Sequence, residues 1–341
     1  MTTLVTGATG FLGSHVARQL AERGECLRVL VRESSELRAI EGLAAERFVG
    51  DLRDAGSLDR AMAGVTRVYH VAADYRLWSR NPRELYESNV TGTQNLLAAA
   101  ERAHVERFVY TSTVATIAVP RDGALPNEGT HATLDDMIGH YKCSKLLAEQ
   151  EALRAAEAGM PVVIVNPTTP VGPGDWKPTP TGKIIVDFLN GRMPGYVDTG
   201  LNFVGVEDCA AGHLLAAERG KPGERYILGA RNLTLKELLD ALAHISGRRA
   251  PRWKFPHAVA YAAAAADTAM SRMLGRAPQI PLEGARMARH KMFVDASKAP
   301  RELGFAPGPV EAALERAVRW YEANGYVAGS SAAVAMPASV A

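Results

Sequence analysis

The stretch Thr6-Gly7-Ala8-Thr9-Gly10-Phe11-Leu12-Gly13-Ser14-His15 follows directly on a short apolar run, Thr3-Leu4-Val5. A strand that ends at Thr6 and turns at once into a helix opening near Phe11 points the helix's free N–H groups and positive dipole end into the turn. A diphosphate binds in such a turn. In dinucleotide folds, glycines so placed have distinct tasks: Gly7 makes the tight turn, Gly10 lets the backbone approach the pyrophosphate, and Gly13 lets the helix lie close on the sheet. Thr9, Phe11 and Leu12 complete the candidate cofactor loop. In a chain of 341 residues with 31 glycines the GxxGxxG spacing alone is weak evidence, so the surrounding elements must carry it.

They do so by their order. Apolar strands at Leu27 to Val31, Arg47 to Val49, Arg67 to Val71, Arg107 to Thr111 and Pro161 to Asn166 alternate with helical patterns. This rhythm predicts an α/β fold with a Rossmann-type, doubly wound parallel sheet. The first helix, Ser14 to Arg23, sets Val16, Ala17 and Leu20 on one face and stops before Gly24.

The length suits a Rossmann domain followed by a smaller C-terminal α/β substrate lobe. A net charge of +2, from 39 basic and 37 acidic residues spread along the chain, argues against nucleic acid or an anionic membrane as a partner. Cys26, Cys143 and Cys209 form no CxxC pair, so neither a disulfide framework nor a metal site is expected. No signal-peptide pattern precedes the first strand, which places the chain in the cytoplasm. The run Ala258 to Ala266 is too short for a transmembrane segment and reads as a packed helix, with surface docking left open.

The second strand runs into Arg32, about 20 residues beyond Gly13, where a dinucleotide enzyme declares its cofactor. An arginine there makes charge-assisted bonds to the 2'-phosphate of NADP; Glu33, one residue later, would instead favour NAD. Asp51 and Leu52 follow the third strand and border the adenine. Val71, Ala72 and Ala73 are small enough to let the cofactor cross the sheet edge. Tyr75 and Trp78, in a loop at the carboxyl end of a strand, are candidate substrate contacts or core aromatics. Asn89 lies inside the helix Pro82 to Ala103, where an asparagine is locally unfavourable, so it is either a proton link or a surface residue.

The fifth strand ends in Thr111-Ser112-Thr113, hydroxyls at the carboxyl edge of the sheet. Next comes a helix with Tyr141 and Lys145 four residues apart, on one face. A tyrosine of ordinary pKa near 10 is a poor base at neutral pH, and a nearby ammonium favours its phenolate. Thr113 or Ser112 would hold a substrate oxygen, Tyr141 would pass its proton, and Lys145 would support Tyr141 and grip the cofactor ribose. Further along, Trp176 lies in a proline-threonine loop that could close on a ligand, and Phe203 is a further candidate substrate contact.

These residues (TGATGFLG, Asp51-Leu52, Asn89, TST and YKCSK) resemble the extended short-chain dehydrogenase/reductase family over about residues 2 to 326. Within it, VAADYRLW, LDDMIGHYK, VIVNPTTPVGP, KPTPTGKIIVDF and MPGYVDTGLNFV are similar to the hopanoid-associated sugar epimerase group. The first half is similar to dihydroflavonol-4-reductases, which also carry an arginine where Arg32 stands. The resemblance implies Thr113, Tyr141 and Lys145 as catalytic residues and Asn166, Pro167 and Thr168 as the cofactor-side loop. It also implies a dinucleotide-binding domain over 1–168 with a return segment near 202–230, a substrate lobe over 169–327 and a disordered tail over 328–341. A homodimer would pair the helices Pro82 to Ala103 and Asp136 to Ala158 in a four-helix contact. Gly205 stands where such chains usually carry histidine. The substrate would be a sugar, a sugar nucleotide or a hopanoid-related carbonyl, turned over by an epimerase or a ketone reductase. A regulator that senses NADP without chemistry is the remaining alternative, and Tyr141 with Lys145 speaks against it.

Overall fold

The computed structural model describes residues 1–328 apart from Leu77, Arg121, Asp122 and Ile280. The expected disordered tail falls almost wholly outside the described residues. The first half runs β1 (Thr2–Thr6), α1 (Phe11–Glu22), β2 (Cys26–Val31), β3 (Glu46–Val49), α2 (Ala55–Ala61), β4 (Val65–His70), α3 (Arg83–Tyr86), α4 (Gly92–Arg102), β5 (Arg107–Thr111), α5 (Gly139–Glu157) and β6 (Val162–Pro167). There follow β7 (Thr169–Val171), α6 (Pro180–Leu189), β8 (Gly195–Tyr196), β9 (Gly200–Gly205), α7 (Val206–Arg219), β10 (Arg225–Leu228), β11 (Arg231–Thr234) and α8 (Leu235–Ser246). The chain closes with β12 (Trp253–Lys254), α9 (His257–Met273), α10 (Leu282–Met287), β13 (Lys291–Met292), α11 (Lys298–Leu303) and α12 (Val310–Ala323).

Seven strands pair in the order β10-β6-β5-β4-β1-β2-β3, every neighbouring pair parallel. Successive side chains of a strand point to opposite faces, so Leu4 enters a core with Leu58, Leu96 and Ala148 while Val5 enters one with Val16, Leu20 and Leu214. Both faces are covered, which is why β6 is buried along its whole length and reads as an apolar run from Val162 to Val165 before Asn166. The chain leaves β1 for β2 on one side and returns to β4 on the other. This reversal opens a crevice at the carboxyl ends of β1 and β4.

A second sheet, β11-β9-β13 with β7 also on β9, packs with α6, α8 and α12 around Phe188, Phe203, Leu239 and Tyr321. The chain returns from it through α7 to β10, whose register sets Tyr226 against Val165 in the large sheet.

Two helices differ from expectation. The Pro82 to Ala103 helix contains a π-turn, Glu87–Thr91, between α3 and α4, so the extra residue of the bulge falls around Asn89. The helix bearing Tyr141 starts at Gly139 (φ +88), after a separate 3₁₀ turn at Leu134–Asp136. Leu96, Leu97 and Leu146 of these two helices lie in the chain's own interior.

Candidate active site

Gly7 has φ +74, and a Cβ there would come 2.5 Å from the Ala72 nitrogen. Only glycine lets the turn after β1 press against the Val71-Ala72-Ala73 segment after β4. The Gly10 nitrogen donates to the Gly7 carbonyl at 2.9 Å. A Cβ on Gly13 would strike that same carbonyl, so Gly13 keeps the turn, as much as the sheet, close to the helix. No side chain caps α1 at Gly10, so its first-turn N–H groups are left to a ligand. An uncapped helix start behind a cradle that a Cβ would fill fits the diphosphate of a dinucleotide.

Lys145 is buried on α5 and donates to the Tyr110 hydroxyl at 2.9 Å and to the Thr111 carbonyl at 2.8 Å. Burial lowers its pKa to about 7, and the Glu149 carboxylate one turn on opposes the shift. Tyr141 stands one turn before Lys145. Its pKa is raised by burial, opposed by the nearby Thr113 side chain, with Tyr75 adding a smaller upward push. The Lys145 ammonium is taken up by Tyr110 and Thr111, and the shift of Tyr141 here is set by burial, Thr113 and Tyr75. The Ser112 hydroxyl is buried with no hydrogen-bond partner among the described residues.

Beneath these groups runs a buried polar chain that sequence reasoning missed. Tyr110 lies near Thr93, His70 Nε2 lies 3.0 Å from Thr93 Oγ1, and His70 Nδ1 lies 2.7 Å from Thr6 Oγ1. Thr93 spends its one proton on the Asn89 carbonyl at 2.6 Å, so its oxygen accepts from His70. His70 is then protonated at Nε2 and accepts from Thr6 at Nδ1; burial depresses its pKa to about 3 and keeps it neutral. These groups underlie Lys145, which donates to Tyr110 above them. The available signal was Thr6, His70, Thr93 and Tyr110 as polar residues within otherwise apolar strands and a helix.

Asn89 is buried, and its amide is committed. Its Oδ1 accepts from the Asp74 nitrogen at 2.7 Å, and its Nδ2 donates to the Asp74 carbonyl at 2.9 Å and the Ser144 hydroxyl at 3.0 Å. The surface reading is excluded, and the proton-link reading gives way to a tie between the loop after β4 and α5. A second missed cluster supports the far side. Asn166 Nδ2 donates to Glu149 at 2.7 Å and to the Thr113 carbonyl at 3.1 Å, and Arg225 Nη1 pairs with Glu149 at 3.2 Å.

Among the remaining candidates, Arg32 is exposed just past β2. Asp51 is gripped by Arg53 Nη2 at 2.7 Å, and that hydrogen bond lowers its pKa. Arg53, which the sequence reading passed over, is a second guanidinium besides Arg32 whose charge acts on Asp51. The Leu52 carbonyl accepts from Asn95 at 2.9 Å. Thr111 Oγ1 lies 3.1 Å from His213 Nε2. Pro167 ends β6, and Thr168 bonds to the Leu228 carbonyl through its nitrogen at 3.1 Å and its hydroxyl at 3.2 Å.

Of the substrate candidates, Tyr75 lies within electrostatic range of Tyr141, and Trp78 is half-buried in the same loop. Two others are corrected. Phe203 is 1% exposed in the core of the second lobe, and the Trp176 ring is held by Trp320 at 4.8 Å with the Arg38 guanidinium 4.9 Å away. Both aromatic groups serve packing. Gly205 also has a local reason, because a Cβ there would meet the Asp208 carboxylate at 2.7 Å.

A glycine cradle at a sheet reversal, beside a tyrosine and a lysine on one helix, defines a dinucleotide-dependent enzyme of the extended short-chain dehydrogenase/reductase class. The model of the NAD dependent epimerase/dehydratase family matches residues 3–229, and the chain belongs to that family. Its members are epimerases, dehydratases and reductases, and this chain is likewise an enzyme of NAD(P)-dependent redox chemistry. It is 47% identical over 327 residues to a Synechocystis protein named as a dihydroflavonol 4-reductase, covering 95% of each chain. It is 36% identical to sterol demethylase protein B of Methylococcus capsulatus, covering 96% of this chain and all of that one (100%). Among solved structures, a nucleoside-diphosphate-sugar epimerase from Pseudomonas aeruginosa superimposes with a TM-score of 0.78 at 30% identity, covering 96% of this chain and 99% of the other.

Proposed function

We propose that this protein is an NADP(H)-dependent oxidoreductase acting at a secondary alcohol or ketone carbon, with Tyr141 as the acid/base. The observation that supports the reading is the placement of Tyr141 with the Thr113 side chain at the carboxyl edge of the sheet, one helical turn from the buried Lys145. The bound nicotinamide supplies or accepts the hydride. Gly7, Gly10 and Gly13 receive the diphosphate, while Asn166, Pro167 and Thr168 border the nicotinamide side. Arg32, with Arg53 nearby, meets the 2'-phosphate. Thr113 and Tyr141 converge on the substrate oxygen: Thr113 orients it, and Tyr141 donates its proton in reduction or removes one in oxidation. The raised pKa of Tyr141 keeps the phenol protonated, as a proton donor must be. Residues 169–327 close over the substrate as a lobe, with Tyr75 and Trp78 facing it from the Rossmann side.

Reduction of a ketone is the first reading, supported by the reductase name of the relative at 47% identity and by Arg32. Epimerisation of a sugar or sugar nucleotide is the second, supported by the similar Pseudomonas epimerase. Candidate ketones incubated with stoichiometric NADPH, and sugar nucleotides incubated with a catalytic amount of oxidised NADP, separate them. A reductase consumes one NADPH per product, whereas an epimerase takes hydride from the sugar, returns it, and turns over many times on the catalytic oxidised cofactor. Absence of both outcomes, with tight cofactor binding retained, would favour a sensor. The resemblance further implies a homodimer, which light scattering at micromolar concentration tests.

A further inference from the structure

Of the thirteen described large apolar residues left exposed, seven fall in one stretch: Trp253 (74%), Phe255 (37%), Val259 (53%), Tyr261 (39%), Met270 (50%), Met273 (83%) and Leu274 (64%). Most of them belong to α9 or its ends. At 100° per residue, Val259, Ala262, Ala263, Ala266, Met270 and Met273 fall on one face of α9, within an arc of roughly 140° that contains no polar residue. All six are exposed, while Ala264, Thr268 and Ser271 on the opposite face are buried. Helix α9 thus packs by a narrow, small-residue face and turns its larger apolar side chains to solvent. Isolated exposed apolar residues need no explanation, but a continuous face of them marks a contact surface.

Charge identifies the occupant. The segment 248–276 holds Arg248, Arg249, Arg252, Lys254, Arg272 and Arg276 against one acid, Asp267. Its net charge is therefore +5, in a chain whose total is +2. The even spread of charge expected from composition is corrected here: the remainder of the chain is acidic and offsets a local excess. All six basic residues are exposed. Asp267 is paired with Arg276 at 3.0 Å, and Lys254 with Asp198 of the loop after β8 at 3.0 Å. Trp253 stands between Arg252 and Lys254. A second copy of the chain would bring this cationic patch against its own image in a twofold contact, which like charges oppose. Apolar side chains bordered by arginines, with an exposed tryptophan, match the boundary between acyl chains and anionic headgroups. No described helix is long and apolar enough to cross a bilayer.

We propose that α9 and the segment before it dock this enzyme on the surface of an anionic membrane, with the apolar face of α9 in the headgroup boundary and the basic residues on the lipid charges. The inference does not depend on which reaction the site performs. The test is co-sedimentation of the full chain with vesicles of phosphatidylcholine alone or with about one-third phosphatidylglycerol, at low and high salt. The wild type should bind the anionic vesicles, bind phosphatidylcholine at least tenfold more weakly, and be released as salt rises. Met270→Glu with Met273→Glu should abolish binding, and Arg248→Gln with Arg249→Gln should weaken it and flatten the salt dependence. Both pairs are exposed, and circular dichroism with melting curves verifies that the variants fold. Trp253→Phe should remove the fluorescence blue shift that lipid produces. Wild-type protein remaining in the supernatant with anionic vesicles overturns the proposal, as does binding unaffected by the methionine pair. A doubled mass in light scattering that the methionine pair reduces to a monomer, without vesicle binding, assigns the face to a second copy instead.

Discussion

Lys145 Nζ donates to the hydroxyl of Tyr110 at 2.9 Å, and the Tyr110 ring lies 4.6 Å from the same nitrogen. The lysine is thus anchored from below by strand β5, with Thr93 near Tyr110. An ammonium buried this deeply needs acceptors for its protons. Tyr110→Phe removes one and leaves the Thr111 carbonyl. It should lower kcat about tenfold and cost roughly 1 to 3 kcal/mol of stability. It should also move the pH–rate profile down by about one unit, because the charged lysine loses a hydrogen bond. A merely structural role would reduce stability without moving the pH profile.

Tyr141→Phe should retain the fold and cofactor binding while reducing the rate by roughly 10² to 10⁴, the usual contribution of a positioned acid/base. Thr113→Ala should cost less, since the Ser112 hydroxyl is buried beside it without a partner among the described residues. Steady-state rates of both variants, with cofactor titrations, check the assignment. Near-full turnover by the phenylalanine variant would remove Tyr141 from proton transfer.

Lys145 also links stability to pH. Burial brings its pKa from 10.5 down to about 7. Between those values the unfolded chain carries a proton that the folded chain lacks, so stability rises with pH through this window. The penalty of burying the charge is fully present below about pH 7 and is gone above pH 10.5. Lys145→Met abolishes this dependence, and the acceptors it strands add an offset that does not vary with pH. The variant's Tm relative to wild type should therefore be higher at pH 6 than at pH 10, by at least ~3 °C. An unchanged difference would mean that the lysine's pKa is not depressed.

How far the sequence could be read depends on which features repeat. Parallel strands buried on both faces leave long apolar runs, and glycines under steric constraint recur at fixed spacing, so the sheet and the Gly7 turn were legible. Single polar residues leave no pattern. His70, Thr93 and Tyr110 each look like chance substitutions in an apolar element, and only the pairing of β1, β4 and β5 brings them together. Asn89 was noticed because it violates helix propensity; its partner Asp74 and the π-turn depend on tertiary contacts. Apolar residues were harder to place. Phe203 resembled a ligand contact and lies in the core, Trp176 packs on Trp320, and the Ala258 to Ala266 run, read as a packed helix with surface docking left open, lies largely exposed along α9.

Cofactor choice follows from few residues and bears on the choice between reductase and epimerase. Arg32 stands exposed just beyond β2, and its charge reaches Asp51, where Arg53 is also held. A guanidinium there makes a forked, charge-assisted contact with a 2'-phosphate, and such a contact should favour NADPH over NADH by roughly 10-fold to 100-fold. Arg32→Asp should reverse the preference, because the phosphate then faces a carboxylate while the two ribose hydroxyls of NAD gain an acceptor. Arg53→Gln should weaken NADPH by a smaller factor and release Asp51 from its partner. Glu33→Gln should change little if Arg32 reads the phosphate, and should weaken NAD selectively if Glu33 reads the ribose. Dissociation constants of both cofactors for the wild type and the three variants check each statement. A wild type that prefers NAD would refute the NADP assignment and move the chemistry toward a retained NAD and the epimerase reading.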